Sequence, residues 1–158
     1  MTKLNGVAEL ESLRSRFAST RDPQRIIVTI CSGTGCPGAK SESLYQTFKE
    51  GAEKLGLNGS LAIKQTGCVG FCERGPIVII RPKGIFYQRV KRADVARILD
   101  ETIVKGEVVD ELLFVDPVTG KRCPLTEEIP FYNQQKRIVL RRSGEIDPLD
   151  IRDYIADG

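Results

Sequence analysis

Three observations on the 158-residue chain predict an α/β fold with four strands and two core helices. Short β-branched runs alternate with helical patterns in the order strand, helix, strand, strand, strand, helix. Arg81-Pro82-Lys83-Gly84 joins the last two strands closely enough to close a hairpin. The first two strands each run straight into a loop that holds a pair of cysteines.

Residues 4–20 predict a helix, with Leu4, Val7, Ala8, Leu10, Leu13 and Phe17 near a helical period and Arg21-Asp22-Pro23 ending it. Ile26-Ile27-Val28-Thr29-Ile30 is an apolar run of strand length. After the first cysteine loop, Ser41 or Ser43 is placed to cap a helix. Its apolar positions Leu44, Phe48, Ala52 and Leu55 form one face, and Gly56 or Asn58-Gly59 stops it. Leu61 to Gln65 is a second strand and runs into the second cysteine loop. Ile77 to Ile80 is a third, and Ile85 to Val90 returns as a fourth. Val95, Ile98, Leu99, Thr102 and Ile103 mark the closing helix, ended by Gly106. This β-α-β-β-β-α order is the thioredoxin-like arrangement, preceded by an N-terminal helix (1–22). Its first crossover should be right-handed, with strands one and two parallel and their C-terminal ends side by side.

After Gly106 the character changes. Residues 109–130 read as a linker with a turn, because Asp116-Pro117-Val118-Thr119-Gly120, Cys123-Pro124 and Pro130 interrupt any period. Residues 131–158 restart an ordered pattern. Asp147-Pro148 looks like a helix cap, and Leu149, Ile151, Tyr154 and Ile155 begin an amphipathic face. A helix opening so near the end suggests a truncated stub. The expected division is 1–22, 23–108, 109–130 and 131–158.

Composition narrows the chemistry. No apolar run reaches membrane-span length, and the N-terminus lacks the apolar core of a signal peptide, so the cytoplasm is the expected compartment. Paired cysteines there serve metals or redox chemistry more often than structural disulfides. Histidine is absent, which removes Cys/His zinc sites, Cys–His nucleophiles and Rieske clusters. Tryptophan is absent and aromatics make up 6%, which argues against a base-stacking nucleic-acid surface.

Four residues separate Cys31 from Cys36 and three separate Cys68 from Cys72, with 31 residues between the pairs. Gly33, Gly35, Gly38, Gly67, Gly70 and Gly75 crowd the two loops, where glycine lets backbone N–H groups turn toward sulfur. Four such thiolates suit an iron–sulfur cluster. An all-cysteine zinc site in a docking module and a thiol–disulfide oxidoreductase remain as alternatives, although the two-residue spacings that both favour are missing. Cys123, beside Pro124, reads as a thiol without a role. Glu73-Arg74 reads either as two solvated charges or as a pair that tunes the site. Arg81, Lys83, Arg89, Lys91, Arg92 and Arg97 form a basic stretch suited to an acidic neighbour or simply to solvent.

Gly-Thr-Gly inside the first pair and Gly-Cys-Val-Gly-Phe-Cys-Glu-Arg-Gly-Pro around the second resemble the thioredoxin-like [2Fe–2S] ferredoxin family, which includes the 24 kDa subunit of respiratory complex I. The resemblance spans about residues 23–108 and implies Cys31, Cys36, Cys68 and Cys72 as ligands of a [2Fe–2S] cluster that relays one electron. Glu128-Ile129-Pro130-Phe131-Tyr132, Gln135 to Leu140, Ile146-Asp147-Pro148 and Tyr154-Ile155 resemble the opening of the 51 kDa-type NADH-binding flavoprotein subunit. Together the two resemblances imply the β subunit of an NAD(P)-linked, electron-bifurcating [FeFe]-hydrogenase, or a related formate dehydrogenase subunit. The implied partners are the α- and γ-type subunits of such a complex. The Gly-x-Gly-x-x-Gly spacing occurs once, at Gly33, Gly35 and Gly38 inside the first cysteine loop, and after residue 108 neither that spacing nor a further cysteine cluster follows. FMN, NAD(P) and other Fe–S clusters are therefore expected only in a continuation of the parent subunit.

Overall fold

A computed structural model describes residues 3–32 and 38–158, with side chains of the helix after the first loop described from residue 41 onward. Cys36, Gly33 and Gly35 lie outside the described residues. The elements at the core are β1 (Ile26–Cys31), α2 (Gly38–Lys54), β2 (Leu61–Thr66), β3 (Val78–Arg81) and β4 (Ile85–Tyr87), preceded by α1 (Val7–Ser19). The sheet order is β2-β1-β3-β4, with β1 and β2 parallel and the other neighbours antiparallel. The thioredoxin-like order read from the sequence is therefore the observed one.

Alternation along the strands divides the core in two. Val28, Ile30, Val78, Ile80, Ile85 and Tyr87 face one side, where Leu44, Phe48 and Ala52 of α2 cover them. Full burial of Leu44 or Phe48 is worth about 1.5–3 kcal/mol each. The helix begins at Gly38, so Ser41 and Ser43 lie inside it rather than capping it. Its end follows the glycine signal. Gly56 adopts φ +68, and the Leu57 and Gly56 amides return to the Ala52 and Glu53 carbonyls. Leu55 lies past this end and is exposed, so it leaves the predicted face.

The closing helix runs as a single α-turn, α3 (Val95–Arg97), and then widens into a π-helix (Ile98–Val104), with Val95, Ile98, Leu99 and Thr102 buried. A buried hydroxyl ties it down: Tyr87 Oη lies 2.6 Å from Thr102 Oγ1 and accepts the Val109 N–H at 3.0 Å. Strand β4 stops at Tyr87, three residues short of the expected Val90. Arg89 takes φ +52, and its amide turns to the Arg74 carbonyl.

The other face of the sheet carries Cys31, Ile77, Ile79 and Phe86, with Thr29 donating its hydroxyl to the Ile79 carbonyl. The stretch 109–130, expected to be a linker, covers this face. It forms the two-stranded ribbon β5 (Phe114–Val115) and β6 (Arg122–Cys123), and it buries Phe114, Cys123 and Ile129. Its predicted turn is present: Asp116 accepts the Val118 amide and the Thr119 hydroxyl, and Gly120 supplies φ +70. Single bridges from Leu125 to Ile85 and from Leu113 to Tyr87 attach it to β4.

Beyond it come α4 (Pro130–Asn133) and α5 (Ile151–Asp157). The α5 cap is Asp150, whose carboxylate accepts the Arg152 amide. Asp147, predicted for that role, instead forms a local turn with the Leu149 amide. Leu149, Ile151 and Tyr154 are exposed, so the predicted apolar face is not a core face. The residue that α5 buries is Asp153. That carboxylate pairs with Lys64 on β2 and with Arg21 after α1, and it accepts the Asp147 amide at 3.1 Å.

Candidate metal centre

Parallel pairing sets Cys31, the last residue of β1, beside Thr66, the last residue of β2. The Ser32 amide continues the ladder to the Thr66 carbonyl at 2.9 Å. The second cysteine loop therefore leaves the sheet next to the first, as the sequence predicts. Within it, a 3₁₀ turn (Cys72–Arg74) brings the sulfurs of Cys68 and Cys72 to 3.6 Å. Two thiolates at about 2.3 Å from one tetrahedral metal stand about 3.7 Å apart, so this pair has the span needed to share one ion.

Backbone donors already point at sulfur. The Gly70 amide donates to Cys68 Sγ at 3.3 Å, and the Ile77 amide donates to the buried Cys31 Sγ at 3.2 Å. Such bonds favour the thiolate form of these sulfurs. Gly70 can donate in this way because it sits at φ +89. The peptide bond between Gly75 and Pro76 is cis.

The aromatic side of the site was not legible as such. Phe71, between Cys68 and Cys72, stacks on Phe131 with ring centroids 4.3 Å apart. Tyr132 meets Phe71 edge-on at 6.1 Å and Phe86 at 5.8 Å. Gly67 and Gly70 let the tail approach: a Cβ at Gly67 would lie 3.3 Å from Ser143, and one at Gly70 would lie 3.8 Å from Phe131 and Leu140. The available signal was the pair Phe131-Tyr132 directly after a helix-opening proline.

Tyr132 is 8% exposed, and its hydroxyl has no hydrogen-bond partner among the described residues. Burial pushes its phenol well above the usual range. The Arg137 guanidinium opposes that shift, and the sulfurs of Cys31, Cys68 and Cys72 add to it. Glu73 faces solvent, whereas Arg74 lies over the rings of Phe71 and Phe114 at 5.8 and 5.4 Å. Cys123 is buried on the same sheet face, where burial raises its thiol pKa. A thiol so held suits packing rather than ligation. Among the described residues, no three Cys, Asp or Glu side chains gather around a single-ion site.

These features fit a thiolate-bound cluster: one sulfur pair at metal-sharing distance, amides aimed at the sulfurs of two cysteines, and an orphaned buried hydroxyl in the same core cluster as Cys31. Comparisons with known proteins agree. The chain is 36% identical over 77 residues to a 2Fe–2S ferredoxin of Clostridium pasteurianum, which covers 49% of this chain and 76% of that protein. It is 33% identical over 82 residues to a 2Fe–2S ferredoxin of Aquifex aeolicus, covering 49% and 71%. The crystal structure of a thioredoxin-like [2Fe–2S] ferredoxin from Aquifex aeolicus superposes with a TM-score of 0.54 at 27% identity, over 59% of this chain and 99% of that one. With residues 7–103 matching the family as a whole, the chain belongs to the thioredoxin-like [2Fe–2S] ferredoxins, electron-transfer proteins whose cofactor is a [2Fe–2S] cluster.

Proposed function

We propose that Cys31, Cys36, Cys68 and Cys72 hold the cluster, and that the chain is a one-electron relay within a multi-subunit NAD(P)-linked oxidoreductase of the hydrogenase β-subunit type, in the cytoplasm. The ligand assignment rests on one observation above all: the 3.6 Å sulfur pair of Cys68 and Cys72 stands at the end of β2, beside Cys31 at the end of β1. Cys36 completes the set from the sequence spacing. When bound, the cluster supplies a site that gains and loses one electron. The chain's own part is to fix the ligands at two adjoining strand ends, to donate backbone N–H groups to Cys31 and Cys68, and to keep water off one side with Phe71, Phe131 and Tyr132.

The relay reading in a larger complex is supported by the tail's resemblance to a flavoprotein opening. It is also supported by exposed Arg89, Lys91 and Arg92, which line a groove beside Gly75 and Pro76 and suit an acidic partner face. Anaerobically purified protein should contain two irons and two acid-labile sulfides per chain. Cys68→Ser and Cys72→Ser should each lose or destabilise the cluster, read by iron and sulfide content and by the EPR signal of the reduced protein. Zinc without sulfide would overturn the ligand assignment. The complex itself is tested by affinity purification of the full-length protein from its native cells. Co-purifying flavoprotein subunits and NAD(P)H-dependent reduction are expected, and a solitary chain unreactive toward NAD(P)H would overturn that part.

A further inference from the structure

The segment that carries Tyr132 lies beyond residues 7–103, the part matched to the family, so its role is particular to chains with this tail. Tyr132 projects from α4 into the same core cluster as Cys31, enclosed by the rings of Phe71, Phe86 and Phe131. None of those rings offers a conventional acceptor. A buried phenol normally finds a hydrogen-bond partner, yet this one has none among the described residues. Around it stand the Arg137 guanidinium over its ring, Cys31 in the same core cluster, and Phe71, which lies between Cys68 and Cys72. Arginine has only donors. The acceptor chemistry that this surrounding brings near is sulfur.

We propose that Tyr132 donates its hydroxyl to a sulfur of the bound cluster, on a cysteine ligand or on inorganic sulfide, and thereby raises its reduction potential. The proposal rests on the reading that Cys31, Cys36, Cys68 and Cys72 hold the cluster. The direction follows from charge. Reduction adds one electron, and a donated hydrogen bond stabilises the more negative state more than the less negative one. Arg137 has its guanidinium carbon 5.7 Å from the centre of the Tyr132 ring, so it is a positioning residue that holds the ring and adds positive potential behind it.

Two variants of the full chain test this, each followed by redox titration with EPR detection. Tyr132→Phe keeps the ring and removes the donor. It should favour the oxidised state about tenfold, a fall of about 59 mV for one electron. Replacing Tyr132 by 3-fluorotyrosine keeps both the ring and the hydroxyl but strengthens the donor, so the potential should rise. A purely packing role predicts that neither variant moves the potential, and that result overturns the proposal. If Tyr132→Phe fails to assemble a cluster, the fluorinated variant decides alone, with a rise supporting the proposal and an unchanged or lower potential overturning it. Iron and sulfide analysis separates the two levels. A wild-type chain without sulfide overturns the cluster reading itself, whereas a fully loaded chain with an insensitive potential overturns only the role of Tyr132.

Discussion

Asp153→Asn removes one negative charge from the junction where the C-terminal tail meets the edge of the sheet. In the native chain that carboxylate faces Lys64 on β2 and Arg21 after α1, and it accepts the Asp147 amide. Its side chain is 12% exposed, that of Lys64 24% and that of Arg21 41%. Exposed ion pairs contribute about 0–1 kcal/mol, while breaking a fully buried one costs about 3–5 kcal/mol. A shielded carboxylate with one half-exposed and one mostly covered partner belongs between these, at about 1–2 kcal/mol. Asparagine keeps an oxygen for the Asp147 amide, so the loss is electrostatic. At a typical urea m-value of about 2 kcal/mol/M, the unfolding midpoint should fall by roughly 0.5–1 M. Burial alone would raise the Asp153 carboxyl. The Lys64 hydrogen bond, the Asp147 amide and the charges of Lys64 and Arg21 outweigh it and hold the group below the usual carboxylate range. A depressed folded-state pKa contributes stability that is present above the unfolded value of about 3.9 and is lost as pH falls through the folded value. The gap between wild type and variant should therefore be flat from pH 8 to pH 5 and narrow only below about pH 4. An unchanged midpoint at pH 7, or a gap that shrinks between pH 8 and 5, would refute this account of the junction.

Two further substitutions probe the buried hydroxyls that join the tail and the helices to the sheet. Tyr87→Phe leaves the Val109 N–H without its acceptor inside the core and should cost about 1–3 kcal/mol in urea unfolding. A loss below about 0.5 kcal/mol would mean that water or another acceptor takes over. Thr66→Val keeps the volume but removes the oxygen that accepts the Gly144 amide at 2.7 Å and donates to the Ile146 carbonyl at 3.2 Å. Amide hydrogen exchange should speed up around residues 143–146 while β1 and β3 stay protected, and equal acceleration in all three regions would sink the idea that Thr66 acts locally.

The central sheet was legible because its strands are β-branched runs bounded by glycine and proline, and because parallel pairing sets the ends of β1 and β2 side by side. The covering of its second face was not. The clue stands in Ile77-Val78-Ile79-Ile80 and Ile85-Phe86-Tyr87, which do not alternate with polar residues. A strand apolar on both sides needs cover on both sides, and one layer of helices supplies only one. The cover comes from 109–132, where Phe114, Cys123, Ile129 and Tyr132 are spaced too irregularly for any period to reveal them. Turn signals at Asp116 to Gly120 are genuine, and they disguised a packed ribbon as a linker. Asp147 against Asp150 is a different kind of miss. Proline after an aspartate suits a first helical turn, but the Asp147 amide is taken by Asp153, and the helix starts one turn later. Cys36, the one candidate ligand outside the described residues, rests on its spacing alone.

The same tail brings two opposing influences to the metal centre. Phe131 stacks on Phe71, and Leu140 lies over Gly70, so apolar groups cover one side of the second cysteine loop while Cys72 itself stays exposed. Removing water penalises added negative charge and on its own lowers the reduction potential. A hydroxyl aimed at sulfur from within that dry layer has the opposite sign, and it is stronger for being there, since the low local dielectric that penalises charge also sharpens a hydrogen bond to it. Tyr132 reaches the site only because α4 is seated on the sheet by Ile129 and by Phe131 against Phe71. The potential therefore depends on a difference between two terms carried by neighbouring residues. Phe131 supplies the exclusion of water and Tyr132 the polar correction, so a change in how the tail docks alters both at once.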